Sequence, residues 1–280
     1  MSDKSSQRKR WVIRGEAVWR ATLLNTACRF NRSIVVTEFP KSGGTWLSQM
    51  LSEMTGYEFR RNQFPGLSRQ IFHGHYRKRF PGVPTVVLWR DPRDIIVSWY
   101  HHCLFYSERT NAEFVRETRH ALAFADLEDI RGNLPRFIDY MFTEQGSPRF
   151  NWSQFFDTWE RRTDVVATSY EGLRQDPIGA LASVLDVLDV PYRRDEMREV
   201  VDRHSFERQA GRSSGEERRG AFLRKGIVGD WRNAFTRESA TAFAGHTGDR
   251  IVRAGYEPDM AWIESLPLSG EYAKSVQAVL

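Results

Sequence analysis

Cysteine is nearly absent: Cys28 and Cys103 are the only two in 280 residues, which excludes a disulfide framework and a cysteine-rich zinc site. No apolar run reaches the ~18 residues of a membrane-spanning helix, so stable membrane insertion is not expected. The opening stretch MSDKSSQRKRWVIRGEAVWR is basic but lacks the apolar core of a secretory signal, and a cytoplasmic location is the expectation. There is no internal repeat and no low-complexity tract. Nor does GKS or GKT occur anywhere, which removes the usual device by which a phosphate loop holds magnesium.

The composition is otherwise ordinary, with 40% hydrophobic, 28% charged and 13% aromatic residues. A chain of this size buries most of its unfolded surface, so it needs neither a disulfide nor a structural metal to fold. Lys plus Arg total 41 against 36 Asp plus Glu, a net charge of +5. That surplus favours an anionic partner without saying whether it is nucleic acid, a phosphorylated cofactor or acidic lipid. The basic cluster Arg8-Lys9-Arg10 reads as a solvated tail.

Short β-branched runs alternate with helical stretches. Ile34 to Thr37 reads as a buried strand, followed by a helix from Thr45 to Met54 that closes near Gly56. Ile71-Phe72 is a short second strand. Thr85 to Trp89 is a third, followed by a helix from about Pro92 to Tyr106, and Asp164 to Thr168 repeats the pattern. A further helix starts at Asp176-Pro177, with Leu181, Val184, Leu185 and Leu188 on one apolar face. Strands separated by helices predict a single α/β domain with a central parallel sheet flanked by helices. Residues 1–33 read as a basic, helical N-terminal extension and 34–280 as the domain. Within it, Gln209 to Gly220 is rich in Gly, Ser, Arg and Glu, and 209–222 is expected to be a mobile loop.

The string IVVTEFPKSGGTW is a strand, a turn and a helix start. Gly43 and Gly44 let the backbone approach a ligand, and the free N–H groups of the first helical turn point at an anion. Lys41, Ser42 and Thr45 add donors, so the element reads as a P-loop-like phosphate loop. PKSGGTWL resembles the 5′-phosphosulfate loop of the cytosolic-type sulfotransferases, usually PKSGTTWL, with Gly44 in place of the usual Thr. LWRDPRDIIVSWYHH is similar to that family's 3′-phosphate motif, and FLRKGIVGDWRNAFT to its RKGxxGDW signature.

The resemblance implies the donor 3′-phosphoadenosine 5′-phosphosulfate (PAPS), the product adenosine 3′,5′-bisphosphate, and transfer that requires no metal. It places the 5′-phosphosulfate on Lys41, Ser42, Gly43, Gly44 and Thr45, and the 3′-phosphate on Arg90, Ser98, Arg224, Lys225 and Gly226. It places adenine beside Trp46, Tyr170, Ser205 and Phe206. Asp91, Arg93 and Asp94, inside the second motif, read as helix-start and surface charges. Laying H-G-H of IFHGHY on the family's K-T-H puts His75 on the catalytic base, with His73 as the alternative. Lys41 then stabilises the leaving oxygen, and Ser98 restrains Lys41 until acceptor arrives. His101 and His102 read as structural or pocket-edge residues, and His120, His204 and His246 as remote from the chemistry.

The resemblance implies a small-molecule hydroxyl compound as acceptor. The segments that would choose it are Tyr57 to Pro65, Tyr76 to Pro84, Phe105 to Gln154 and Gln209 to Gly220. Phe137, Tyr140, Phe142, Phe150 and Trp152 either wall an apolar acceptor pocket or are ordinary core. The family's dimer motif KxxxTVxxxE falls on RNAFTRESAT, which lacks its Val and Glu, so a homodimer by that route is doubtful. Two rival readings are a magnesium-dependent P-loop kinase, against which the missing GKS or GKT argues, and a basic nucleic-acid-binding module, which lacks any zinc-finger or RNA-recognition signature.

Overall fold

β1 (Ile34–Glu38), β2 (Ile71–Gly74), β3 (Thr85–Trp89) and β4 (Val166–Ser169) form one parallel sheet in the order β2-β1-β3-β4. The computed structural model describes residues 2–61, 63–105, 112–144 and 148–269, with side chains from residue 14 onward. The side chains of the basic cluster at residues 8–10, and the helix end expected at Tyr106, lie outside that description. The chain packs as two compact units, residues 1–89 with 162–209, and residues 90–161 with 210–280. Among the described residues, no helix is long and apolar enough to cross a membrane.

The first unit holds the sheet. Side chains alternate along a strand, and β1 uses both faces. Ile34 and Val36 join Ile71, Val86 and Leu88 in a core that receives Leu47, Met50 and Leu51 of α3 (Gly44–Thr55). The same core takes Leu173 of α8 (Tyr170–Gln175), Leu181, Val184 and Leu185 of α9 (Pro177–Val187), and Met197 of α10 (Arg194–Arg203). On the other face Val35 and Phe72 pack with Leu23 and Leu24 of α1 (Ser2–Asn25) and Cys28 of α2 (Cys28–Asn31). The N-terminal extension therefore completes the sheet's second face at its carboxyl end rather than hanging free. Asp176 caps α9 by accepting from the Gly179 N–H, and Gly56 ends α3 in the left-handed region. α11 (Phe206–Ala210) closes the unit at Gln209.

β1 sends its connection to one side of itself while β3 lies on the other, so the strand order reverses there. In open parallel sheets ligands bind outside the carboxyl ends of the strands at such a point. The loop 39–43 leaves β1 at that end.

The second unit is helical, built from α4 (Pro92–Leu104), α5 (Ala112–Leu122), α6 (Ile130–Thr143), α7 (Trp152–Trp159), α12 (Arg237–Thr247) and α13 (Arg250–Arg253). α6 packs on α12, with Phe142 edge-on to Phe243 and stacked on His246 at 4.8 Å. Phe137, Phe142, Phe150 and Trp152 are buried, and Trp152 stacks on Phe156. Burial of this degree is what ordinary core requires at those four positions. The segment carrying the degraded dimer motif is also packed inward: Phe235, Thr236, Ser239 and Ala240 are buried.

Candidate active site

The loop begins where β1 ends. Lys41 sits at φ 75°, a left-handed backbone that a residue with a side chain rarely adopts, and Gly43 follows at φ 100°. A Cβ on Gly43 would lie 2.9 Å from the Tyr170 ring, so only glycine lets the main chain pass there. α3 then opens at Gly44, presenting its first-turn N–H groups. Trp46 and Tyr170 meet edge to face, with centroids 6.0 Å apart, forming an aromatic corner beside the loop. Ser42 departs from its expected use as a ligand donor: it is buried, and its hydroxyl donates to the Phe39 carbonyl at 2.7 Å. That bond closes the turn.

A residue that motif reading passed over dominates the loop's inner side. Glu38, the last residue of β1, is 4% exposed. Its carboxylate accepts from the Gly44 N–H through one oxygen and from His73 Nε2 at 3.0 Å through the other. Its main-chain carbonyl meets His75 Nδ1 at 3.1 Å. Parallel pairing produces this cluster, because Val36 lies opposite His73 and Thr37 opposite Gly74. The Thr37 hydroxyl extends the pairing by accepting from the Tyr76 N–H at 3.0 Å and donating to the Tyr76 carbonyl at 3.1 Å.

The same cluster accounts for Gly44. A Cβ there would fall 2.5 Å from His73 Nε2 and 2.6 Å from Glu38 Cδ, so the threonine usual in the resembling motif has no room. Burial pushes the Glu38 carboxyl up. The hydrogen bond from His73, the charges of both histidines and the Gly44 N–H outweigh it and hold the pKa below the ordinary range. His75 keeps an edge open to solvent. The crowding of protein around the rest of its ring nevertheless lowers its pKa, a shift that Glu38 opposes and His73 reinforces.

Ser205 and Phe206 lie at the start of α11. The Ser205 hydroxyl accepts from the Arg208 N–H at 3.3 Å, and Phe206 is buried.

In the second unit, Arg90 lies two residues before α4, ahead of its cap Asp91, and Ser98 lies within the helix, both half-buried. The charges around them are not on the surface. Asp91, Arg93 and Asp94 are 6%, 1% and 1% exposed, which corrects the sequence reading. Asp91 caps α4 and grips the Arg93 guanidinium, which lies 3.6 Å from the Trp231 ring centroid and 4.8 Å from that of Trp262. Arg93 also donates to Glu257. Asp94 accepts from the N–H groups of Gly229 and Trp231 at 2.8 and 2.9 Å, fastening the RKGxxGDW signature to α4. Burial pushes the Asp94 carboxyl up, and Arg90 draws it back.

Within the signature, Arg224 and Lys225 both donate to Asp230, and Arg224 also to Glu217. Gly226 turns the chain at φ 65°. Burial raises the Asp230 carboxyl, but the bonds from Lys225, Arg224 and Asn233 more than reverse this and hold it at about 2. Burial, then Arg224, pushes His101 down to about 3. The loop before the signature has no helix or strand after Ala210, yet it is fastened. Arg212 donates to the carbonyls of Leu223 and Arg224, and Ser214 to that of Gly226. His204 and His246 pair with Glu53 and Asp139 at 2.6 and 2.7 Å.

The Sulfotransferase domain family model matches residues 79–254, more than half of the chain. The chain belongs to the sulfotransferase domain family. The match takes in Arg90, Ser98, Tyr170, Ser205, Phe206, Arg224, Lys225 and Gly226, and it begins after the loop and both histidines of IFHGHY. Sulfotransferase 2B1 of Homo sapiens is 27% identical over 197 residues, covering 64% of this chain and 47% of that protein. The chain thus spans about half the length of that relative. Sulfotransferase 1B1 of Mus musculus is 22% identical over 240 residues, covering 75% of this chain and 79% of that protein.

The fold is that of mouse sulfotransferase SULT7A1, solved in complex with PAP, with a TM-score of 0.61 and 16% identity over 87% of this chain and 92% of that one. Retinol dehydratase, solved with androsterone and the inactive cofactor PAP, aligns with a TM-score of 0.54 and 16% identity over 79% and 81%.

Glu38 had one signal in the sequence: an acid ending an otherwise uncharged strand, six residues before a glycine that replaces a hydroxyl residue. Asp230 stands inside the RKGxxGDW signature, but its pairing with Arg224 and Lys225 is not legible in the string.

Proposed function

We propose that this chain transfers the sulfuryl group of PAPS to the hydroxyl of a small-molecule acceptor, with His75 as the general base. One observation carries the reading. A carbonyl oxygen can only accept, so the contact with the Glu38 carbonyl puts the proton of a neutral His75 on Nδ1 and leaves the lone pair on Nε2. That imidazole sits beside a glycine-built loop that opens a helix, the arrangement an anionic donor needs.

When bound, PAPS supplies the sulfuryl group and departs as adenosine 3′,5′-bisphosphate. The loop fits its 5′ end: with no side chain at Gly43 the backbone stays open, and Lys41 with the N–H groups of Gly43, Thr45 and Trp46 offers positive charge. The Ser42 hydroxyl shapes the turn, and the Gly44 N–H is held by Glu38. Trp46 and Tyr170 face the adenine, with Ser205 and Phe206 completing its surroundings. Arg90, Ser98, Arg224, Lys225 and Gly226 take the 3′-phosphate, for which Arg224 and Lys225 exchange Asp230 for phosphate oxygens. His75 removes the acceptor proton, and Lys41 neutralises charge on the departing oxygen. Transfer by these groups requires no metal.

The test is His75→Ala. A transfer rate at least ~100-fold lower, with bisphosphate affinity unchanged in a calorimetric titration, is the expected result. Wild-type turnover in that variant overturns the base. Binding of ATP-magnesium or a mixed oligonucleotide in preference to the bisphosphate overturns the reaction class.

A further inference from the structure

We propose that Glu38, His73 and His75 form a binding site for a single divalent transition-metal ion of the zinc type. One ring nitrogen of each histidine and one carboxylate oxygen lie within 4.8 Å of one another. The tightest pair, His73 Nε2 and Glu38 Oε1, is 3.0 Å apart. Ligand atoms ~2.0–2.2 Å from a tetrahedral zinc ion sit about 3.3 Å from each other, so that pair is already close to coordination spacing. The third ligand needs only a side-chain adjustment at the open edge of His75.

Three further features favour an ion over a plain hydrogen-bonded cluster. The carboxylate is oriented from behind, its second oxygen accepting from the Gly44 N–H, as a ligand is fixed by outer-shell bonds in metal sites. Glu38 and His73 stand on adjacent parallel strands rather than on loops, which sets their separation by the sheet. The exposed edge of His75 gives an ion its way in and leaves room for water as a fourth ligand.

Two imidazoles and one carboxylate select Zn²⁺, Co²⁺ or Ni²⁺ over Mg²⁺ and Ca²⁺, which prefer oxygen. On binding, the ion replaces the proton shared by His73 Nε2 and Glu38 Oε1, and that proton leaves to solvent. No oxidation state changes. If His75 is the base, as proposed above, ion binding and sulfuryl transfer compete for it, and the ion acts as a brake on turnover.

The full chain, freed of metal by a chelator, is titrated with Zn²⁺ by calorimetry and with Co²⁺ by visible absorption. One ion per chain, with the intense absorption of a tetrahedral Co²⁺ site, is expected. His73→Ala and Glu38→Gln should each weaken binding at least ~10-fold, and His204→Ala, in a separate His–Glu pair, should bind as wild type. His75→Ala, at the solvent edge, repeats the test should either buried variant fail to fold. Absence of stoichiometric binding, or His75→Ala binding as wild type, overturns the site. Activity separates the two proposals. A chain that binds Zn²⁺ without losing turnover overturns His75 as base and leaves the site standing. A chain that transfers sulfuryl groups but binds no ion overturns only the site.

Discussion

The loop at the end of β1 and the RKGxxGDW signature are both assigned to phosphate, but they are held in place by opposite means. The loop is fixed by regular structure: β1 leads into it, α3 leads out, and Ser42 and Glu38 tie its backbone from within. The signature has no strand to start from. Asp94 holds it at Gly229 and Trp231, and its two cations are both engaged by one acid, Asp230. A segment built on regular structure distributes its stability over many bonds. A segment whose second half is held by one buried carboxylate, with only loop contacts from Arg212 and Ser214 on its first half, is weakened where that carboxylate goes.

The sharpest way to break this contrast is Asp94→Ala. It leaves two N–H groups without their acceptor, at ~1–3 kcal/mol each, so a loss of about 2–6 kcal/mol is expected in urea unfolding. Bisphosphate affinity should fall with it, and proteolysis should begin within residues 210–230. A variant as stable as wild type would show that the bonds from Arg212 and Ser214 suffice to hold the signature.

Asp230→Asn probes the ion pairs through pH. Asp230 is held at about 2 against the ordinary aspartate value of 3.8. A depressed carboxyl contributes stability that is complete above its unfolded pKa and is lost as pH falls through its folded one. Wild type should therefore lose about 2 kcal/mol between pH 4 and pH 2 through this group, and the variant should lack that part of the slope. Equal slopes in a chemical-denaturation series would remove Asp230 from the account.

The smallest expected effect is at the loop. Gly44→Ala gains up to ~1 kcal/mol of helix propensity and costs ~1–3 kcal/mol through its collision with His73 and Glu38, for a net loss near ~1 kcal/mol. Pairing it with His73→Ala should recover most of that loss in a double-mutant cycle. Strict additivity would mean that the glycine is there for another reason.

The strands were legible because burial on both faces demands continuous β-branched runs, and Thr85–Trp89 is placed to the residue. β4 starts two residues later than Asp164, whose carboxylate pairs with Arg162 and Arg79 instead of entering the sheet. The loop could be read from its glycines, since their need is local. What could not be read was pairing at a distance. Asp91, Arg93 and Asp94 look like a solvated run, and their burial depends on Trp231, Trp262, Glu257 and two N–H groups more than a hundred residues away. Glu38 and His73 likewise meet only through the register of β1 on β2.

Lys41 carries a side chain where the main chain, at φ 75°, would be most comfortable with none. The left-handed geometry costs roughly 1–2 kcal/mol in any residue but glycine, and the protein bears that cost permanently, whether or not a ligand is near. Architecture alone would therefore choose glycine at this position, and only the chemistry of an ammonium group recommends lysine.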